Sequence, residues 1–418
     1  MEHKEKIFNI IGIIGVCLYA LSILAIGKLN QGIYLIIIGS LYYIKDFNLN
    51  KLELEQKMFL ILIILFPIFE FLSFNNNGIL INMIRESYKY MPIFLVSIFI
   101  KTYDKIKLIL ICITTTIMLN INTIYQVCNK NNFKFTGTFD GKFGLGHTAH
   151  CMAIGSFLIL CLVGYSYIKK EKILFLISSI SYIISIYFVI LGQRRGAYLA
   201  VIFPLLFLFV VILLKLNKKK LLSLGIILIL SFSTLVKTEF IKENRYYKRL
   251  ISSKNIKNDS QSVRLILWKV SIKGYMEKPI FGFGEDNGKE YYLKYIEENE
   301  KNIEERLSKY GVIDLKTQAE KSNPHNMYFK KIIDNGLLGF YFSLFLIYTF
   351  FSNFIKIIKL DLKDNKEELV IRLGIFGSFF AFLIVGLTED AWGTYVIKNM
   401  FFIILSIYFS LNKISKKN

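Results

Sequence analysis

Two consecutive arginines, Arg194 and Arg195, lie between Gly192 and Gly196. A guanidinium group presents a planar fork of donors that binds phosphate oxygens in pairs, and glycine lets a backbone approach a ligand closely. The segment therefore indicates a binding site for a phosphate group. Arginines beside an apolar segment also extend toward lipid phosphates without any catalytic role, and the residues alone leave that alternative open.

A second candidate cation, Arg264, precedes Trp268 by four residues, so both side chains would lie on one face of a helix. A turn with closely spaced Pro279, Gly282 and Gly284 follows. In this position Arg264 would face an anionic substrate at a membrane surface. The same pattern is typical of an amphipathic helix that lies on a membrane with a tryptophan anchor.

The candidate general base is His325, which lies between Pro324 and Asn326. A neutral imidazole takes a proton from a hydroxyl group near neutral pH. A histidine at the beginning of a helix can also be a plain surface residue. His147 and His150 have a spacing that suits a metal on a helix, but the sequence offers no third ligand nearby, so we expect no metal and no cofactor.

The composition assigns these residues to a polytopic membrane protein. The 418 residues are 54% hydrophobic and 20% charged, whereas soluble domains are about 45–50% apolar and about 25% charged. Long apolar runs exclude a cytosolic enzyme, a secreted soluble protein and a disordered chain. The net charge of +21 would suggest nucleic acid in a soluble protein. Here it fits lysine-rich cytoplasmic loops, and we expect no nucleic-acid partner.

The apolar runs predict an all-α fold with about twelve membrane spans. The predicted spans are 7–26, 31–44, 58–74, 79–100, 106–125, 148–167, 173–192, 197–214, 221–237, 332–354, 369–388 and 392–411. Lysine and arginine are concentrated in the segments that would be internal if the N-terminus were internal. Because basic loops stay in the cytoplasm, we predict that both termini are cytoplasmic.

One long polar segment, residues 238–331, does not follow this pattern and would lie on the outer face as a helical domain. The predicted organisation has four parts. They are N-terminal transmembrane helices (1–125), central transmembrane helices with the outer Arg-Gly loop (126–237), an extracytoplasmic loop domain (238–331) and C-terminal transmembrane helices (332–418).

The order and membrane placement of these motifs resemble the O-antigen ligase/polymerase superfamily. That family has an Arg-Gly loop between two spans, then Arg-x-x-x-Trp and Pro-x-x-Gly-x-Gly in a long external loop, and Pro-His-Asn before a span with Gly-x-x-Gly. The matching residues are Arg195, Gly196, Arg264, Trp268, Pro279, Gly282, Gly284, Pro324, His325, Asn326, Gly336 and Gly339. This chain departs at Gln193 and Arg194, where the family has small hydroxylated residues, so Arg194, Arg195 or both would face the substrate.

The resemblance implies an inverting, metal-independent glycosyltransferase of the cytoplasmic (inner) membrane, with its active site on the outer face. The donor would be an undecaprenyl-diphosphate-linked glycan and the acceptor a glycan or a lipid. His325 would deprotonate the acceptor hydroxyl, while Arg264 and the arginine pair would hold the diphosphate. The supporting residues would be Trp268, Gly282, Gly284 and Asn326.

Within this family we favour a polysaccharide polymerase of the O-antigen or capsule type, because the chain has no extra domain for a large separate acceptor. The alternative is a ligase that transfers the glycan to a lipid core or a protein. A flippase or transporter is the alternative from another class, but it predicts related halves and paired charges at mid-membrane, which the sequence lacks. Membrane lipids and other polysaccharide-assembly proteins are the remaining expected partners.

Overall fold

The computed structural model describes most of the chain. The described residues are 2–23, 29–46, 52–73, 90, 92–130, 144–192, 194–215, 259–285, 287–299, 303, 307–360 and 365–416. Every regular element in these ranges is helical, which confirms the predicted all-α fold. The α-helices are α1 (Glu2–Leu21), α2 (Leu29–Ser40), α3 (Leu54–Ser73), α4 (Pro92–Phe99), α5 (Tyr103–Lys130), α6 (Gly144–Ile168), α7 (Lys172–Leu191), α8 (Arg195–Lys215), α9 (Asp259–Glu277), α10 (Lys289–Asn299), α11 (Lys309–Glu320), α12 (Met327–Asn335), α13 (Leu337–Lys359), α14 (Lys366–Thr388) and α15 (Tyr395–Ser415).

Six helices in the described ranges are long and apolar enough to cross a membrane, and they are α6, α7, α8, α13, α14 and α15. The predicted N-terminal spans overlap α1 to α5 and remain predictions. The predicted span 221–237 lies outside the described residues, as do residues 79–89 and 91 of the predicted span 79–100.

The predicted span 332–354 is displaced in the structure. Residues 332–335 belong to the separate helix α12, and α13 begins at Leu337. The break is at Gly336, whose φ of 55° is open to glycine and rare for other residues. Asp334, Asn335 and Gly336 interrupt the apolar run between Ile333 and Leu337, so the break coincides with polar residues near the beginning of the predicted span.

The bundle has α6, α14 and α15 at its centre, because these helices bury most of their length. Gly374 and Gly377 of α14 lie against Cys161 and Phe157 of α6. Small residues permit this close approach of two helices, which is a common basis of helix packing in membranes.

Ion pairs join distant segments at one end of the bundle. All of these segments belong to the set that the lysine pattern predicts to be internal. The pairs are Lys107–Glu171 (2.8 Å), Lys169–Glu367 (2.5 Å), Lys356–Glu55 (3.2 Å) and Lys416–Glu53 (3.0 Å). The contacts therefore gather these segments at a common end, and the cytoplasmic assignment of that end stays a prediction.

Helices α9 to α12 pack around a second hydrophobic core, separate from the core of the bundle. Its central members are Val263, Leu267, Val270, Tyr292, Leu315 and Ile333. Within this core the hydroxyl oxygens of Ser271 and Tyr292 are 2.7 Å apart, so the buried tyrosine has a polar partner. The described part of the predicted loop domain thus has its own core, and α12 connects it to α13.

Candidate active site

The site is positioned by the beginning of α12. Asn326 is the N-cap residue, and its side-chain oxygen accepts hydrogen bonds from the backbone N–H groups of Tyr328 (2.9 Å) and Phe329 (3.1 Å). Asparagine is favoured at this position because it satisfies N–H groups that have no helical partner. The side-chain amide of Asn326 also donates to the carbonyl of Leu387 (3.3 Å). One residue therefore fixes the beginning of α12 and attaches it to the end of α14.

The backbone of His325 has a φ of 49°, in the left-handed region that few non-glycine residues adopt. Its N–H donates to the side-chain oxygen of Asn323 (2.9 Å), which holds this conformation. The preceding carbonyl, that of Pro324, accepts a hydrogen bond from the indole N–H of Trp268 (2.9 Å). Two side chains therefore hold the peptide group that joins Pro324 to His325, one at its N–H and one at its carbonyl.

The imidazole of His325 faces a carboxylate that sequence reasoning missed. Its Nδ1 lies 3.1 Å from Oε2 of Glu389, the residue that follows α14. If Nδ1 carries the hydrogen and donates it to the carboxylate, the lone pair of Nε2 is free to accept a proton. An imidazole oriented in this way can act as a general base.

Arg264 approaches the same carboxylate from α9, with its Nη2 atom 3.9 Å from Oε1 of Glu389. Burial by itself would raise the pKa of Glu389. The hydrogen bond and positive charge of His325, together with the charges of His150 and Arg264, instead lower this pKa to about 2. The carboxylate is therefore ionised throughout the neutral range, between a histidine and a guanidinium group.

Arg264 and Trp268 act from one face of α9, as their spacing predicts. The guanidinium reaches Glu389, and the indole reaches the loop that carries His325. The indole ring also packs on the ring of Phe329, with 5.4 Å between the ring centroids. The helix thus supplies a cation beside Glu389 and a support for the loop that carries His325.

The turn that contains Gly282 and Gly284 forms hydrogen bonds with the C-terminal end of α12. Gly282 and Gly284 both have positive φ, of 71° and 87°. The N–H of Phe283 donates to the carbonyl of Ile333 (2.9 Å), and the N–H of Gly284 donates to that of Asp334 (2.8 Å). These bonds satisfy carbonyls at the end of a helix. Short and held at both ends, α12 connects the turn to His325.

The Arg-Gly pair begins α8 at the same end of the bundle. Gly196 is buried against the side-chain hydroxyl of Thr388, and a Cβ atom at this position would lie 3.0 Å from Nε2 of His150. Thr388 directly precedes Glu389, so Gly196 packs against the residue next to Glu389 in the chain. Arg195 is exposed and Arg194 is half-buried.

The structure thus brings Arg264, His325 and Glu389 together and places Gly196 next to them. Sequence reasoning assigned no role to His150, which is buried against Gly196. The available signal for Glu389 was an acidic residue directly after an apolar span, since charges at such positions often have functions. Within the described ranges, no group of three or more His, Cys, Asp or Glu side chains is arranged to hold a metal.

Comparisons with known proteins agree with the motifs. A family model described as O-Antigen ligase matches residues 180–344, which include Arg195, Arg264 and His325. The resemblance to the O-antigen ligase/polymerase superfamily is thereby confirmed. Glu389 and His150 lie outside the matched residues.

The chain is also similar to a protein of Haemophilus influenzae described as an uncharacterized protein. The two are 25% identical over 254 residues, which cover 56% of this chain and 59% of the relative. The chain thus matches less than two thirds of the length of that relative.

Proposed function

We propose that this protein is a polysaccharide polymerase that transfers a glycan from an undecaprenyl-diphosphate carrier to a sugar hydroxyl of a second lipid-linked glycan. The family match supports glycan transfer of the O-antigen ligase/polymerase type. The observation that carries the proposal is the orientation of His325 by Glu389 next to Arg264. A base and a cation in this arrangement suit an attack by a hydroxyl group on a carbon that bears an anionic leaving group.

In the proposed step, Nε2 of His325 accepts the proton of the acceptor hydroxyl. The acceptor oxygen forms a bond to the anomeric carbon, and the bond from that carbon to the diphosphate oxygen breaks. The carrier diphosphate leaves with the electron pair, and the configuration at the carbon inverts. Glu389 stabilises the imidazolium that forms, because its carboxylate is ionised and lies 3.1 Å from Nδ1.

Arg264 and Arg195 bind the diphosphate in this proposal. The 3.9 Å between Arg264 and Glu389 is longer than a normal hydrogen bond. The guanidinium can therefore turn to a phosphate without giving up a short contact. Arg195 is exposed at the beginning of α8, where the helix dipole also favours an anion.

The site would lie at the outer face of the inner membrane. Helix α14 begins at Lys366, next to the ion-paired end of the bundle, and ends beside Glu389. If the ion-paired end is cytoplasmic, as the lysine pattern predicts, Glu389 is on the outer side. The termini are then cytoplasmic, and the described part of 238–331 covers the site.

The test is reconstitution of the purified protein in vesicles with a lipid-linked repeat unit and, separately, an added lipid or protein acceptor. A polymerase produces a ladder of longer lipid-linked chains. Transfer that occurs only to the added acceptor would assign the protein as a ligase. A His325→Ala protein is the control for contaminating activity, and no product from the wild-type protein would contradict the proposal.

A further inference from the structure

Helix α9 is apolar on two opposite faces. One face is buried in the second hydrophobic core and carries Val263, Ile266, Leu267 and Val270. The opposite face carries Leu265, Ile272 and Met276, at i, i+7 and i+11, and these side chains are 61%, 42% and 66% exposed. A helix that is apolar on both sides requires a second apolar environment beyond its protein core.

The exposed face of α9 continues into a candidate membrane span. Ile280 follows α9 and is 57% exposed, and its carbonyl accepts a hydrogen bond from the N–H of Leu337 (3.1 Å), which is 54% exposed. From Leu337 an exposed apolar stripe follows α13 along its length. The stripe consists of Leu337, Phe340, Leu344, Ile347, Phe351, Ile355 and Ile358.

We propose that the face formed by Leu265, Ile272 and Met276 lies in the interfacial layer of the membrane, in contact with lipid. The apolar face of α9 is continuous with the stripe on α13, which is a candidate membrane span, because the two surfaces meet at Ile280 and Leu337. A membrane that surrounds α13 therefore extends to α9.

The charges next to this face fit a lipid surface. Lys269 and Lys273 are exposed on α9 beside the apolar face. Amphipathic helices with this composition place their apolar side about 5–10 Å into the boundary between headgroups and acyl chains, while lysines meet lipid phosphates.

The contact of α9 with the membrane would fix the depth of Arg264 relative to the lipid headgroups, and this consequence rests on the proposed function. Arg264 lies on the flank of α9, between the exposed and the buried face. If the apolar face is in the interface, Arg264 is held at the level of lipid phosphates, where the diphosphate of a membrane-embedded carrier also lies. Binding of α9 to the membrane thereby aligns the cation with its substrate.

The experiment places single fluorescent labels in the full-length protein in vesicles. The native cysteines are replaced, and one cysteine is introduced at Leu265, Ile272 or Met276. Two reference positions are Leu344→Cys on the lipid-facing stripe and Lys294→Cys on α10, whose side chain is 74% exposed. Quenching is measured with lipids brominated in their acyl chains and with aqueous iodide. Because all five positions are exposed, the substitutions do not alter a packed core.

We expect the three α9 labels to be quenched by brominated lipid nearly as well as the Leu344 label, and to be shielded from iodide relative to the Lys294 label. Iodide quenching equal to that at Lys294 would overturn the proposal. A second result would also overturn it. If the α9 labels are shielded from both quenchers, and this shielding is lost in vesicles that hold one protein copy each, a second copy of the protein covers the face instead of lipid.

An activity measurement separates this proposal from the proposed function. Leu265→Asp and Ile272→Asp should raise the KM for the membrane-embedded donor more than they lower kcat, whereas Tyr310→Asp on α11 should change neither. Labels buried in lipid on a protein that transfers no glycan would reject the proposed function alone. Labels exposed to iodide on an active protein would reject the membrane contact alone.

Discussion

Nδ1 of His325 and Oε2 of Glu389 are 3.1 Å apart, although 64 residues separate them in the chain. The contact joins the loop before α12 to the residue after α14. It also fixes which ring nitrogen is free, since the nitrogen that faces the carboxylate is occupied by the hydrogen bond. The first two predictions follow from this pair.

His325→Ala should lower turnover by about 10²–10⁴-fold, which is the usual contribution of a positioned general base. Donor binding should change much less, because in the proposed mechanism the arginines hold the diphosphate. Both quantities can be measured with the reconstituted protein as initial rates and as retention of labelled donor. His3→Ala, an exposed substitution on α1, is the control. A His325→Ala protein with near wild-type turnover would remove His325 from the mechanism.

Glu389→Gln should lower kcat by about 10-fold or more, a substantial part of the contribution of the base. The amide keeps the shape but cannot stabilise the imidazolium by charge. The neighbouring Asp390→Asn is a matched control, because the carboxylate of Asp390 accepts a local bond from the N–H of Gly393 (2.9 Å). Equal losses of kcat in both variants would mean that activity depends on the structure of the segment after α14 rather than on the carboxylate of Glu389.

Arg264→Lys and Arg195→Lys should remain impaired, because lysine restores the charge but not the paired donors. Loss of one charge-assisted contact corresponds to about 1.5–3 kcal/mol, or about 10- to 150-fold in kcat/KM. Lys294→Ala and Lys316→Ala remove exposed charges from the same group of helices and should be nearly silent. If all four variants lose activity equally, the region acts through its total charge.

Gly196→Ala should destabilise the protein by about 1–3 kcal/mol, the usual cost of overpacking. The added methyl group would meet the hydroxyl of Thr388 and the ring of His150. Thermal unfolding of the purified protein measures this change. Gly288→Ala should cost less, because its Cβ atom would have ordinary contacts of 3.4 Å and longer. Thr388→Ala should restore part of the stability in the double variant, and no recovery would argue against this contact.

Asp334 should make stability depend on pH. It is fully buried, and burial raises its pKa to about 7 despite its ion pair with Lys330 (2.8 Å). Between about pH 4 and 7 the folded protein keeps a proton that the unfolded chain has lost. The stabilising contribution of protonated Asp334 to the free energy of unfolding is therefore fully present below about pH 4, and it is lost as the pH rises to 7. Denaturant titrations at several pH values measure this change. The Asp334→Asn protein should show a smaller decrease in the free energy of unfolding between about pH 4 and 7, and an unchanged decrease would assign the pH dependence to other groups.

Much of the site could be predicted because its parts carry local signals. The spacing of Arg264 and Trp268 predicted a shared helix face, and the glycines of the turn do adopt positive φ. Glu389 was missed because its role depends on a contact between distant segments, which no spacing within one sequence reports. His150 was missed for the same reason, since its neighbours Gly196 and Thr388 come from other helices.

The sequence also predicted the helical fold, but it did not predict all of the helix ends. Apolar runs located the helices, because a membrane requires long hydrophobic segments. They did not locate the end of α12, because the predicted span joined Ile332 and Ile333 to the apolar run that resumes at Leu337, across the polar residues Asp334 and Asn335 and the break at Gly336. The loop helices were harder to place, since their apolar residues serve both a small core and an exposed face.

The ion pair between Lys356 and Glu55 has a consequence for biosynthesis. The side chain of Glu55 is only 4% exposed, and its partners Lys356 and Tyr408 follow it by 301 and 353 residues. At about 5–20 residues per second, the ribosome reaches these partners about 15–70 s after it has made α3. During this interval the acid of α3 lacks the partners that neutralise it when buried. Helix α3 therefore completes its packing only after α13 and α15 have been made, and a chain that stops before α15 leaves the buried acid of α3 without Tyr408.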